Sequence, residues 1–130
     1  MITTVTFEEV GAMLDEIAAG LPKEFYRDLN GGVNLIEDVK LHPESRDPQS
    51  LYIVGEYHHE PMGLGRYITI YYGSFIRLYG YFSQPMQREE LKKVLVHEFT
   101  HHLESLAGER GLEIKDAQQM AKYRQRFKHE

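Results

Sequence analysis

From Gln87 to Ala107 the chain carries one long amphipathic repeat closed by Gly108, and this stretch restricts the fold more than any other. Leu95, Val96, Phe99, Leu103 and Leu106 gather on one side of such a helix. At about 100° per residue, His101 is turned about 40° from His97 and Glu104 about 20° the other way, so these three form a polar stripe roughly opposite. A helix built like this buries one face against another layer and turns the other to a cleft. The rest of the chain has to supply that layer.

Thr6 and Glu9 form a capping-box pattern, and Phe7, Val10, Leu14 and Ile17 then recur at helical spacing until Gly20. Pro22 suits the first turn of a second, short helix carrying Phe25, Tyr26 and Leu29, stopped by Asn30-Gly31-Gly32. Val33 to Leu41 alternates apolar and polar residues as a half-exposed strand does. His42 to Ser50 has a loop composition, and Leu51 to Tyr57 is strand-like again. Glu60 to Gly65 then reads as a hairpin turn into a strand from Tyr67 to Tyr72. The aromatic run Phe75 to Phe82 suits a short helix or a further strand, and a last amphipathic helix is expected from about Asp116 to Lys128. The expected fold class is α+β: one domain over residues 1–130, a small, mainly antiparallel sheet of about three strands with packed helices.

The chain has 130 residues, the size of one ordinary domain, and a formal net charge of -5. That charge disfavours general attraction to nucleic acid or an anionic membrane. No apolar run approaches the roughly 20 residues of a membrane span, and the first residues lack a basic stretch followed by an apolar one. A cytoplasmic location is therefore expected; the oligomeric state is not set by these features. With no cysteine, a disulfide, a thiolate metal site and a cysteine nucleophile are all excluded.

Within the long helix, His97-Glu98-Phe99-Thr100-His101 is an HExxH pattern, whose two imidazoles four residues apart can bind one metal ion. Imidazole and carboxylate donors suit one zinc ion, held at a catalytic site by three protein groups and a water. Glu98, about 100° from His97, is better placed to take a proton from that water than to ligate. The expected reaction is zinc-dependent hydrolysis of a peptide or protein substrate. The third ligand is expected to be Glu104, with Glu109, Glu113 and Asp116 as alternatives. His102, about 140° from His97, faces the apolar side and is expected to be packed. His58 and His59 fall at a hairpin end, and Tyr79 or Tyr81 is a candidate for stabilising an oxyanion. The strand Tyr67 to Tyr72 can hold an extended peptide by strand addition if it is an edge. Lys122, Arg124, Arg126 and Lys128 are expected to solvate the outside of the last helix rather than form a docking face.

At these residues the chain resembles the compact single-domain bacterial zincin-like metallopeptidases, in element order and in the His-Glu-x-x-His-His of Val96 to His102. The resemblance implies a zincin-like fold and zinc. That family often places a glycine three residues after the second histidine and an acidic ligand three further on. This chain has Glu104 and Ala107 there, so the resemblance leaves the third ligand unassigned. The competing expectation is a non-catalytic module that keeps the scaffold and uses metal for stability or for holding a partner.

Overall fold

The computed structural model describes residues 4–45 and 51–108. Helix α1 (Phe7–Ala19) begins at the Thr6 cap, where Thr6 Oγ1 accepts from the Glu9 N–H and the Glu9 carboxylate accepts from the Thr6 N–H. Its Val10, Met13, Leu14 and Ile17 are buried. The second helix is a single 3-10 turn, Lys23–Tyr26, and Pro22 stands just before it with extended backbone instead of inside its first turn.

Five strands follow: β1 (Gly32–Ile36), β2 (Lys40–Leu41), β3 (Tyr52–Ile53), β4 (Gly55–Glu60) and β5 (Gly65–Tyr71). The main sheet has the order β1-β5-β4, and β2 pairs with β3 in a separate two-stranded sheet. β4 and β5 form the expected antiparallel hairpin, but β1 runs parallel to β5, so the sheet is mixed and not mainly antiparallel. Ile68 lies opposite Val33 and Tyr57, and Ile70 opposite Leu35 and Gly55, so this face of the sheet belongs to the core.

Both longer strands of the sequence reading are cut in two. The run Val33 to Leu41 breaks after Ile36 because the chain closes onto the start of α2 (Tyr72–Tyr79). The Gly73 N–H donates to the Asp38 carbonyl at 3.1 Å and the Lys40 N–H to Ser74 Oγ at 2.8 Å. A side chain at Gly73 would place its Cβ 2.5 Å from Val39 Cγ2, so only glycine permits this approach. The run Leu51 to Tyr57 breaks at Val54, whose carbonyl accepts from the Tyr71 N–H. The aromatic connection that periodicity left open is helical through Tyr79.

Helix α3 (Gln84–Gly108) starts three residues before its expected first residue and is helical through Gly108, the last of the described residues. Its Leu91, Leu95 and Phe99 are fully buried among Val10, Ile68, Ile70 and Phe75. Among the described residues no helix is long and apolar enough to cross a membrane. The last helix expected from Asp116, with its basic residues, lies outside the described residues, as do Glu109 and Glu113.

Candidate functional site

The polar stripe of α3 meets β4 across a cleft of about 540 Å³. One wall is Ile53, Gly55, Glu56 and Tyr57; the other is His97, Glu98, His101, Glu104 and Ser105. Gly55 makes this proximity possible. A Cβ there would lie 2.8 Å from Val94 Cγ1 and 3.2 Å from Glu98 Oε2, so any side chain would push α3 off the strand.

His97 and His101 point at one another, with their Nε2 atoms 3.1 Å apart and their rings perpendicular. Glu98 is only 6% exposed. Burial, reinforced by the negative charge of Glu56, pushes its carboxyl up to about 8. Glu98 therefore carries a proton at neutral pH in the chain by itself.

Glu56 has the contrary setting. Burial acts to raise it, but hydrogen bonds from Lys40 and Tyr71 and the charges of Lys40 and His58 outweigh this and hold it below the usual carboxylate range. Lys40 Nζ stands 2.6 Å from Glu56 Oε1, and the Tyr71 hydroxyl donates to the same oxygen. These contacts tie β2 and β5 to the cleft strand.

His102 is fully buried, as expected of the histidine on the apolar side. Its Nδ1 is 2.9 Å from the Tyr57 hydroxyl and its Nε2 is 2.7 Å from the Arg27 carbonyl. Burial drives its imidazole below the ordinary histidine range, partly opposed by the hydrogen bond to Arg27. His58 is half-buried, stacked on Tyr67 on the sheet face opposite Tyr57, while His59 is exposed at the hairpin end.

Several expectations need correction. Among the described residues no three histidine, aspartate or glutamate side chains gather where they could hold a metal ion. Glu104 lines the cleft but does not join the imidazole pair: seven residues on, it stands about 10 Å along the helix axis from His97. The expected zinc metallopeptidase, with a third ligand beside His97 and His101, is not supported, and neither is its metal-stabilised alternative. Tyr79 and Tyr81 are not in the cleft wall. Tyr79 packs between Phe75 and Phe82, and Tyr81 is 86% exposed. The strand Tyr67 to Tyr72 is internal, and among the described residues the edge beside the histidines is β4.

Sequence reasoning missed the whole β4 wall. A glycine inside the strand-like run Leu51 to Tyr57 is the one signal that marked it, since such a glycine often records a close approach. Nothing local distinguishes Tyr57 from the other tyrosines.

Among solved structures, the chain is similar to a conserved hypothetical protein from T. thermophilus, with 31% sequence identity and a TM-score of 0.67. The match covers 80% of this chain and 99% of that one. No protein-family model and no curated protein matches the chain. The description of the T. thermophilus protein names no activity or ligand, so it lends no support to the zincin-like resemblance.

Proposed function

The chain belongs to the family of that T. thermophilus protein, and we propose that its cleft between α3 and β4 binds an extended polypeptide segment, laid as an added strand along the outer edge of β4. One observation carries this reading. β4 pairs with β5 on one side only among the described residues, and this edge strand walls a cleft whose other wall is the His97, Glu98 and His101 stripe. Unpaired edge amides and carbonyls are ready partners for an incoming strand. Glu98 adds support, because its buried carboxyl has no hydrogen-bond or ionic partner among the described residues and lies on the cleft wall. A peptide carbonyl or amide would satisfy it.

The test is hydrogen exchange on the whole chain with a pool of acetylated, amidated nonapeptides of mixed sequence. Slower exchange confined to the amides of Gly55 to His59 is the expected result. Binding that leaves those amides unchanged, or a pool that does not bind at millimolar concentration, sinks the reading.

Zinc is a separate proposal, supported by one distance. Zinc–nitrogen bonds are about 2.0–2.1 Å, and two of them meeting at one ion span a separation close to the 3.1 Å between the two Nε2 atoms. His97 and His101 would hold the ion in two positions, leaving the others to water or to the bound ligand. A zincin-like fold and a cytoplasmic location are proposed likewise. The HExxH helix beside an edge strand supports the first, and the sequence features given above support the second.

A further inference from the structure

We infer that the cleft reads one side chain of the bound segment: the residue lying beside Gly55 presents a nitrogen donor, as lysine, arginine, glutamine and asparagine do, to the carboxyl of Glu98. The inference deepens the peptide-cleft reading and rests on it for the strand that carries the donor. The Tyr71 N–H donates to the Val54 carbonyl, so Val54 and Tyr71 form a hydrogen-bonded pair. Such pairs alternate along an antiparallel ladder, and the register places the next ones at Glu56 with Thr69 and at His58 with Tyr67. The backbone groups of Gly55, Tyr57 and His59 therefore point away from β5, toward the side where a strand is added.

Of these three positions, Gly55 alone has no side chain on the face toward α3. A Cβ there would lie 3.1 Å from Glu98 Cγ and 3.2 Å from Glu98 Oε2, so the glutamate side chain takes the space above the glycine. An added strand runs about 4.8 Å to the side, and its residue beside Gly55 turns its side chain to the same face. Its backbone bonds lie in the plane of the sheet, so the side chain is the part that rises toward the carboxyl. Glu98 is 6% exposed, lines the cleft, and receives no hydrogen bond among the described residues. A carboxyl accepts from an N–H whether or not it holds a proton, so the preference does not depend on its state. An acidic side chain is refused, because Glu56 already repels negative charge at Glu98. Among the described residues the cleft lining holds no lysine or arginine to take the donor's place. Lys40 is paired with Glu56, and Arg66 donates to Ser105, about two turns of α3 beyond Glu98.

The test divides the acetylated, amidated nonapeptides into four pools, alike except for a central residue fixed as glutamine, lysine, methionine or glutamate, with the rest drawn from alanine, serine and valine. The glutamine and lysine pools should bind the full chain about tenfold more tightly than the methionine pool, which matches glutamine in length but has no donor, and the glutamate pool should bind least. Glu98→Gln keeps an acceptor and should keep the preference, whereas Glu98→Met should erase it. A ratio between pools is not moved by a change in stability alone. Equal binding of the methionine and glutamine pools, a glutamate pool that matches the glutamine pool, or a preference that survives in Glu98→Met overturns the inference. If no pool binds, the cleft reading falls, and a small probe decides the donor site by itself. The carbon-13 carboxyl signal of Glu98, identified by its loss in Glu98→Gln, should shift with propionamide and stay in place with methyl propionate, which has no N–H. An equal response to both, or to neither, overturns the inference.

Discussion

Glu56 on β4 and Glu98 on α3 line one cleft from opposite walls, yet their carboxyl groups are driven to opposite states. Glu56 receives Lys40 and Tyr71 on one oxygen and stays ionised. Glu98, deeper and close against the backbone of Gly55, has burial as its largest influence and Glu56 as a repelling neighbour. Depth does not separate the two cases by itself, since burial pushes both groups upward. The partners decide, and they come from strands that only the tertiary structure brings together. On the strand wall the carboxylate is paired, and on the helix wall the carboxyl has no hydrogen-bond partner among the described residues.

The largest break of this contrast is Glu98→Gln. A carboxyl raised from 4.5 to about 8 binds a proton in the folded chain across the range where the unfolded chain has lost it. Its contribution is therefore fully present below about pH 4.5 and is lost as pH rises toward 8. At about 1.4 kcal/mol per pKa unit, the native chain should lose a few kcal/mol over this window. Urea unfolding at pH 5, 7 and 9 should show a much flatter profile for Glu98→Gln and a variant more stable than the native chain at pH 9. Parallel profiles would remove the protonated carboxyl from the description.

Tyr71→Phe attacks the other wall. It deletes a nearly buried hydrogen bond to an ionised carboxylate, for an expected loss of about 1.5–3 kcal/mol at pH 7 by chemical denaturation. It should also let Glu56 titrate at higher pH, narrowing its difference from Glu98.

A smaller effect of opposite sign belongs to His102. Its folded value lies below the ordinary 6.5, so the unfolded chain takes up a proton first as pH falls, and stability present above that value is lost below it. His102→Asn, which has no titrating ring, should lack this acid-side loss when unfolding is compared between pH 7 and pH 5.

Zinc titration sharpens the helix wall. Calorimetry should find one weakly held ion, lost in His97→Ala and in His101→Ala and unchanged in Glu104→Ala. A tenfold weakening in Glu104→Ala would return that residue to the ligand set and undo the separation of roles along the stripe.

Much of α3 was legible in advance, because helical spacing is a local property. Residues four apart face the same way whatever surrounds them, so the pairing of His97 with His101 and the packing of His102 follow from position. The capping box at Thr6 and the hairpin turn before β5 were legible for the same reason. The strand breaks after Ile36 and at Val54 were not, since each depends on a partner elsewhere, Asp38 at Gly73 or Val54 at Tyr71. The third ligand shows the limit of the stripe argument. Angles about the axis put Glu104 beside the histidines, while its rise along the axis carries it away from the point where their rings meet.

By itself, then, the sequence determined an α+β chain whose long helix buries one face and offers two imidazoles and a carboxyl on the other. Tertiary structure decided which strand that face would meet, the state of each carboxyl beside it, and the carbonyl that sets the His102 ring from 75 residues away. Periodicity is written within a few residues, whereas strand order, burial and electrostatic environment are sums over neighbours distant in the chain, and those neighbours exist only once it has folded.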